Sequence, residues 1–150
     1  MKERTLVFLK PGAVIRGLMG EIITRIERKG LKITAMKLLR LNKEKAEELY
    51  EMHRGKTFFQ KLVAHVTSGP VLAMVVEGPN AITVMRTLIG KTNPLEAGPG
   101  TIRGDYALNV TKNVIHASDN PENAEREIKI FFKEEEIVDY AKPSEESFSY

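Results

Sequence analysis

Short apolar runs alternate with segments of helical periodicity along this 150-residue chain, and this alternation restricts the fold more than any other feature. Residues 6–9 and 71–76 are continuous apolar runs of a length typical of buried strands. Residues 31–41 alternate in polarity and then change phase near Ala35, which indicates a strand with a β-bulge. Residues 106–110 form the fourth predicted strand.

Apolar residues at helical spacing occupy the segments between and after these strands. The first predicted helix begins near Leu18 and ends at Gly30, a residue type typical of helix C-termini. The last begins at Pro121, with Asn120 as its N-cap, and runs to about residue 132. Three further helices are predicted at residues 43–52, 57–66 and 81–88.

The resulting order of elements is strand, helix, strand, helix pair, strand, helix, strand, helix. It predicts an α/β (α+β) sandwich of the ferredoxin-like βαββαβ type, in which helices cover one face of a four-stranded antiparallel sheet. Residues 90–104 hold four Gly and two Pro without periodicity and predict a long loop, a feature that is often functional. We expect one domain over residues 1–150, with residues 141–150 as a polar C-terminal tail.

Composition excludes several kinds of reactive site and indicates a cellular compartment. The chain contains no cysteine, which excludes disulfides, thiolate metal sites and cysteine nucleophiles. The first apolar run is too short for a signal peptide or a membrane span, so we predict a cytoplasmic protein without membrane association. The 23 basic and 20 acidic residues are mixed along the chain, and no specific nucleic-acid binding is expected.

His116 is the strongest candidate for a reactive group. It lies between an apolar run and a predicted helix, so we expect its imidazole to project from a loop. A neutral imidazole, with an unperturbed pKa of about 6.5, can accept a phosphoryl group near pH 7. A lone histidine in a loop is usually a solvated side chain, and the neighbouring motifs are what favour a nucleophile here.

Those motifs carry side chains suited to phosphate. Arg86 and Arg103 lie on or beside the long loop together with Thr92, and the planar fork of arginine matches phosphate oxygens. Lys10 ends the first strand, at a position where α/β sheets present ligands, although an exposed lysine at a strand end fits the local sequence equally well. No Walker motif occurs, so side chains and metal would have to hold a polyphosphate.

From residue 3 to about residue 140 the chain resembles the nucleoside diphosphate kinases. The motifs that carry the resemblance are Glu3-Arg4-Thr5, Lys10-Pro11, Arg16-Gly17-Leu18, Gly20-Glu21-Ile22-Ile23, Ser68-Gly69-Pro70-Val71, Thr92-Asn93-Pro94, Pro99-Gly100-Thr101-Ile102-Arg103-Gly104-Asp105 and the stretch from Asn113 to Asp119. The resemblance implies ping-pong transfer of the γ-phosphoryl group from a nucleoside triphosphate, chiefly ATP, to a nucleoside diphosphate through a phosphohistidine on His116. It also implies broad tolerance of base and sugar.

The resemblance assigns the phosphate contacts to Arg86, Thr92 and Arg103, with His53 as a further contact found in part of the family. Mg²⁺ would be held mainly through the nucleotide phosphates, without protein ligands. Transfer of a phosphoryl group passes through a loose transition state, so positioned cations and an in-line nucleophile supply most of the catalysis.

The remaining roles concern the nucleoside and the nucleophile. By resemblance, Lys10 and Asn113 bind the ribose hydroxyls, and Tyr50 lies beside His116. Three apolar residues complete the base slot: Phe58, which stacks on the base, Leu62 and Val110. Stacking without contacts to base edges predicts indifference to the base.

Glu127 and Ser118 are expected behind the nucleophile. Glu127 lies on the helix that follows His116, and its carboxylate can accept the proton of one imidazole nitrogen and leave the other free to attack. Ser118 can orient that carboxylate. Taken singly, Glu127 is more often a surface residue of a helix.

The chain departs from the family pattern at three places. Gly12-Ala13 replaces the usual Asp-Gly, which removes an expected hydrogen bond of the first turn, and Ala117 replaces a common glycine after the nucleophile. The tail keeps two aromatics, Phe148 and Tyr150, where the family places an aromatic segment against a neighbouring subunit. The resemblance also implies a homo-oligomer built from a common dimer, with a hexamer favoured and a tetramer as the alternative.

Two other classes of protein compete with this interpretation. An RNA-recognition motif shares the ferredoxin-like order, but its Lys/Arg-Gly-aromatic-Gly-aromatic pattern does not occur in this sequence. A regulatory relative without activity is the third hypothesis, and against it every catalytic position of the family is filled.

Overall fold

Residues 2–110 and 112–142 are described by a computed structural model. One antiparallel sheet has the order β2-β3-β1-β4, with β1 at Lys2–Leu9, β2 at Lys32–Leu39, β3 at Val71–Pro79 and β4 at Ile115–Ala117. This order is that of the predicted ferredoxin-like sheet. The register of β2 against β3 shifts between Ile33 and Ala35, so the predicted bulge is confirmed.

Seven α-helices surround the sheet in the described part of the chain. They are α1 (Pro11–Ile15), α2 (Met19–Arg28), α3 (Lys43–Leu49), α4 (Phe59–Thr67), α5 (Ala81–Ile89), α6 (Ile102–Tyr106) and α7 (Pro121–Phe131). The Asn120 side chain accepts a hydrogen bond from the Asn123 backbone N–H at 2.8 Å and caps α7 as predicted. α1 and α6, each only five residues long, were not predicted from the sequence.

Helices pack on both faces of the sheet, so the expectation of one covered face is wrong. Leu6 and Phe8 of β1 point into a core shared with α3, α4 and α7. Val7 and Leu9 point the opposite way, into a core shared with α2 and α5. The physical reason is that a continuous apolar strand has no polar face to offer to water, and both of its faces need cover.

The fourth strand is β4, and the prediction of a strand at residues 106–110 is wrong. The Thr101 side chain caps α6, which ends at Tyr106, and the segment after it is irregular. β4 pairs instead with β1, where His116 lies opposite Phe8. His116 therefore projects from a strand and not from the expected loop.

The predicted long loop runs from Gly90 to the start of α6, where helix replaces its last residues. Past α7, the chain returns to the sheet, and the backbone N–H of Val138 donates to the carbonyl of Thr34 at 2.8 Å. Of the predicted tail, residues 143–150 lie outside the described residues, and so do both of its aromatics.

Candidate active site

His116 is held from two sides at the end of the sheet. Its ring stacks on Phe8, with the ring centroids 4.9 Å apart and the planes 25° from parallel. Its Nε2 lies 2.7 Å from Oε1 of Glu127, a residue of α7 that is 2% exposed. Because Nε2 is engaged by the carboxylate, Nδ1 is the nitrogen that can act on a ligand in the adjoining cavity.

Glu127 is positioned by a second donor. The hydroxyl of Ser118 donates to the same Oε1 at 2.7 Å, and the backbone N–H of Ser118 donates to the carbonyl of Leu6 in β1 at 3.0 Å. Burial raises the pKa of Glu127, but the charge and hydrogen bond of His116 and the Ser118 hydroxyl outweigh it, so that the pKa lies below its ordinary value. The carboxylate is therefore ionised at neutral pH and can accept the Nε2 proton.

Two guanidinium groups border the cavity. Arg103, which is 3% exposed, donates to the carbonyls of Gly90 at 3.1 Å and Ile115 at 2.7 Å. Arg86 donates to the carbonyl of Ala117 at 3.1 Å. Burial and then the neighbouring charge of Arg86 lower the pKa of Arg103 to about 10. Two like charges kept together at a cavity favour an anionic ligand, which would relieve their repulsion.

Lys10 and Asn113 form a second polar group at the end of β1. Nζ of Lys10 donates to Oδ1 of Asn113 at 2.6 Å, and Nδ2 of Asn113 donates to the carbonyl of Thr92 at 3.0 Å. Burial, followed by the charge of Arg103, lowers the pKa of Lys10 to about 7. These bonds connect β1, the long loop and the segment before β4 at one point.

The opposite rim is aromatic and comes from the end of α3 and the turn that follows it. Tyr50 is almost fully buried, and burial together with the charge of Glu127 raises its pKa. The ring centroid of His53 lies 5.1 Å from that of Phe58, whose side chain is 41% exposed. An exposed aromatic face on a cavity rim is suited to stacking against a flat ligand.

The cavity between these groups has a volume of about 390 Å³. Every site residue predicted from the sequence lines it except Ser118, which lies behind Glu127. The lining that the predicted site had not included consists of Leu49, Met52, Ala117, Asp119 and Asn123. Asn123 precedes Glu127 by four residues on α7, so helical spacing could have revealed it. The roles assigned to the predicted residues stay predictions.

The backbone is strained immediately before β4, two residues ahead of His116. Val114 has φ of 79°, and the N–H of Ile115 donates to the carbonyl of Asn113 at 2.9 Å, which is a γ-turn of the high-energy kind. Such a conformation costs about 1–3 kcal/mol and persists because its surroundings hold it. Here the backbone N–H of Lys10 donates to the Val114 carbonyl at 2.9 Å. The strain places Asn113 and His116 on either side of one turn.

The two departures from the family pattern that lie within the described residues are compatible with this geometry. At the first turn, the N–H of Ala13 donates to the carbonyl of Lys10 at 2.9 Å, and α1 forms without an aspartate side chain. Ala117 is buried in β4, where its carbonyl receives the bond from Arg86.

Within residues 2–110 and 112–142, no group of three or more His, Cys, Asp or Glu side chains is arranged to hold a metal ion. The two carboxylates of the cavity already have partners: Glu127 accepts from His116 and Ser118, and Asp119 accepts from Asn123 at 2.8 Å. The donor set therefore fits a divalent cation only if the ligand itself supplies most of the coordinating oxygens. Among the same residues, no helix is long and apolar enough to cross a membrane.

An imidazole with one nitrogen fixed and the other open, facing guanidinium groups across a cavity with an aromatic rim, defines a class of protein. The guanidinium groups are suited to binding phosphate, and the aromatic rim is suited to stacking on a nucleotide base. The imidazole is suited to carrying a phosphoryl group from one nucleotide to another. The class is that of nucleotide phosphotransferases.

Comparison with known sequences gives the family. Residues 3–137 match the family model described as nucleoside diphosphate kinase. The nucleoside diphosphate kinase of Thermosipho melanesiensis is 63% identical over 138 residues, which cover 92% of this chain and 94% of that protein. That of Archaeoglobus fulgidus is 61% identical over 144 residues, or 96% and 95% of the two chains. The chain belongs to the nucleoside diphosphate kinase family.

Solved structures agree. A nucleoside diphosphate kinase from Halobacterium salinarum, determined in complex with CDP, superposes with a TM-score of 0.95 at 46% identity, over 98% of both chains. The Aquifex aeolicus enzyme gives 0.90 at 45% identity, over 92% of this chain and all of that one. The predicted family, fold class and activity, a phosphotransferase that moves phosphate between nucleotides, are confirmed. Enzymes of this kind require a divalent cation.

Proposed function

We propose that this chain exchanges γ-phosphoryl groups by a ping-pong reaction through a phosphohistidine on Nδ1 of His116. The Nδ1 lone pair attacks the γ-phosphorus of a nucleoside triphosphate, and the bond between that phosphorus and the β,γ-bridging oxygen breaks. The nucleoside diphosphate leaves with the electron pair. A terminal phosphate oxygen of a second nucleoside diphosphate then attacks the phosphorus, the Nδ1–P bond breaks, and its electron pair returns to Nδ1, which restores the neutral ring. The observation that carries this proposal is the 2.7 Å contact that engages Nε2 with Glu127.

Glu127 stabilises the charge that appears on the ring during transfer. As Nδ1 bonds to phosphorus, the imidazole becomes cationic, and an ionised carboxylate at 2.7 Å from Nε2 offsets that charge. Ser118 keeps the carboxylate oriented by its own 2.7 Å hydrogen bond. Tyr50 borders the nucleophile from the side of α3.

Arg86, Thr92 and Arg103 hold the phosphates, with His53 as a further contact. Charge on the equatorial oxygens of a loose transition state is offset best by donors that are already in place, and both guanidinium groups are anchored on backbone carbonyls. Mg²⁺ bound through the nucleotide phosphates would neutralise further charge there.

Lys10 and Asn113 bind the ribose hydroxyls, and Phe58 stacks on the base with Leu62 and Val110 beside it. All of these residues line the cavity. Stacking is available to every base because every base has a π face, so the base is tolerated broadly. We propose the same tolerance for the sugar, with ATP as the chief donor. That the Halobacterium salinarum relative was determined in complex with CDP supports a nucleotide in this cavity.

We also propose the domain extent, compartment, substrates and assembly of the enzyme. Residues 1–150 form a single kinase domain that works in the cytoplasm on nucleoside tri- and diphosphates, as a homo-oligomer for which a hexamer is favoured over a tetramer. Family membership supports the assembly, and the absence of cysteine from the sequence supports the compartment.

The test is transfer of labelled phosphate in two separate steps. Incubation with [γ-³²P]ATP and Mg²⁺ should leave a labelled protein that is acid-labile and base-stable, and this phosphoenzyme should pass its label to GDP. An RNA-binding module or an inactive relative would form no phosphoenzyme. An acid-stable adduct would contradict the assignment to histidine.

A further inference from the structure

The geometry points to Arg126 as a positioning residue that ties the carboxylate of Glu127 to the end of α3. On α7, Arg126 directly precedes Glu127, and its Nη2 lies 3.6 Å from Oε2 of that residue. Its Nη1 donates to the carbonyl of Glu48 at 2.9 Å, and Nη2 donates to the carbonyl of Leu49 at 3.3 Å. The guanidinium of Arg126 thus connects Glu127, which lies behind the proposed nucleophile, with the end of α3, which leads to Tyr50 and His53 in the cavity.

The contact with α3 depends on the planar, charged guanidinium of Arg126. The last carbonyls of a helix have no partner within the helix, and they form the negative end of its dipole. The rigid, always charged fork of Arg126 can reach two of them at once, which a single ammonium group does less well. The next residues are Tyr50, the C-cap of α3, and the short 3-10 turn Glu51–His53. Arg126 therefore sets where the aromatic rim begins.

The contact with Glu127 engages its second oxygen. Oε1 already accepts from His116 and Ser118, so Oε2 is the atom that a further cation can orient. Arg126 is the charged side chain that faces Oε2. Its side chain is 34% exposed and that of Glu127 is 3% exposed, so solvent screens the pair only in part.

The charge of Arg126 favours the ionised form of Glu127, and its position favours the orientation of that carboxylate. Burial raises the pKa of Glu127, and Arg126 is one of the groups, after His116 and Ser118, that lower it again. An ionised, correctly rotated carboxylate is what the imidazole needs when it becomes cationic. This role of Arg126 rests on the proposed function, since it acts on phosphoryl transfer only through Glu127 and His116.

A double-mutant cycle on the complete enzyme tests the coupling. Single-turnover phosphorylation by [γ-³²P]ATP with Mg²⁺ is measured for wild type, Arg126→Gln, Glu127→Gln and the double variant. Glutamine stays polar but removes the charge, and its shorter side chain withdraws the donors from the carbonyls of Glu48 and Leu49. We expect Arg126→Gln to slow phosphorylation about fivefold in the wild-type background and hardly at all in the Glu127→Gln background, because groups in contact are not additive.

Two further variants separate a positioning role from a structural one. Arg126→Lys, which keeps the charge but not the fork, should recover part of the rate, whereas Arg126→Met should be as slow as Arg126→Gln. Lys129→Met changes an exposed cation on the same helix and should leave the rate unchanged. Circular dichroism and thermal unfolding check that each variant is folded.

The outcomes are distinguishable. Equal slowing by Arg126→Gln in both backgrounds, or no slowing in either, would overturn the role of Arg126 while wild type still forms phosphohistidine. If wild type forms no acid-labile phosphoenzyme at all, the proposed function fails together with this inference.

Discussion

The two sides of the cavity are built differently. On the side that we propose to be catalytic, His116 lies on β4, Ser118 directly after it and Glu127 on α7, and two hydrogen bonds of 2.7 Å join them. On the nucleoside side, Phe58 and Val110 lie on irregular segments and are 41% and 49% exposed. Hydrogen bonds fix the distances between side chains on the side where we propose that the phosphoryl bond is exchanged. On the other side, exposed apolar surface is available to nucleosides that differ in their base. The comparison predicts steep losses of rate on one side and shallow, uniform losses of affinity on the other.

We expect removal of the proposed nucleophile to have the largest effect. His116→Ala should lower phosphotransfer at least about a thousandfold, the scale seen when a covalent catalyst is removed. Because the ring stacks on Phe8, we also expect a loss of about 1 kcal/mol in the free energy of unfolding. Activity with ATP and GDP measures the first effect and thermal unfolding the second. Retention of activity in a folded variant would rule out His116 as the nucleophile.

Glu127→Gln tests how much the charge behind His116 contributes to the rate. The variant keeps shape but loses charge, and hydrogen bonds to charged groups contribute about 1.5–3 kcal/mol. We expect kcat and kcat/KM to fall together by roughly 10- to 150-fold, because the interaction matters mainly in the transition state. Nucleotide affinity should barely change. Single-turnover phosphorylation is the direct measurement, and an unchanged rate would show that another acceptor sets the tautomer of His116.

Phe58→Ala probes the nucleoside side. Loss of stacking should weaken ATP, GTP, CTP and UTP alike, by about 1–3 kcal/mol each. In wild type we expect the four kcat/KM values to lie within about one to two decades. Phe58→Tyr keeps the aromatic face and serves as the matched control. A loss confined to one base would mean that the cavity recognises base edges.

Lys10 lies between the two sides, and its effect should be the smallest. Its pKa is lowered to about 7 by burial and Arg103, and an anionic nucleotide nearby should raise that pKa again. Binding between pH 7 and 9 should therefore take up protons, and affinity should fall as pH rises, by less than about tenfold per pH unit. Calorimetry in two buffers of different ionisation enthalpy measures the uptake. If Lys10→Met takes up protons to the same extent, Lys10 is not their acceptor.

Local patterns were sufficient where an element is long and regular. Continuous apolar runs predicted the central strands β1 and β3, and helical spacing with a cap predicted α7. The phase change near Ala35 predicted the bulge of β2. Of the candidate site, the motifs of the family supplied all thirteen residues of the prediction, and twelve of them line one cavity while Ser118 supports it.

Local patterns failed where pairing is long-range or an element is short. β4 contains only three residues, too few to show a period of two, and its position is decided by pairing with β1 more than a hundred residues earlier. Leu108 alternates as a strand residue should, yet it is 86% exposed, because residues 107–110 are irregular and pair with no strand of the sheet. Likewise, nothing near Arg126 in sequence indicates its bonds to α3, 77 and 78 residues away.

The sequence by itself predicted which residues are candidates for the reacting groups and determined the order of the long elements, because both depend on residue type and on spacing along the chain. Tertiary structure alone decided which imidazole nitrogen faces Glu127 and that Val114 bears the strained turn. Each of these depends on atoms brought together by packing, and distances between residues far apart in the chain are set by the folded core.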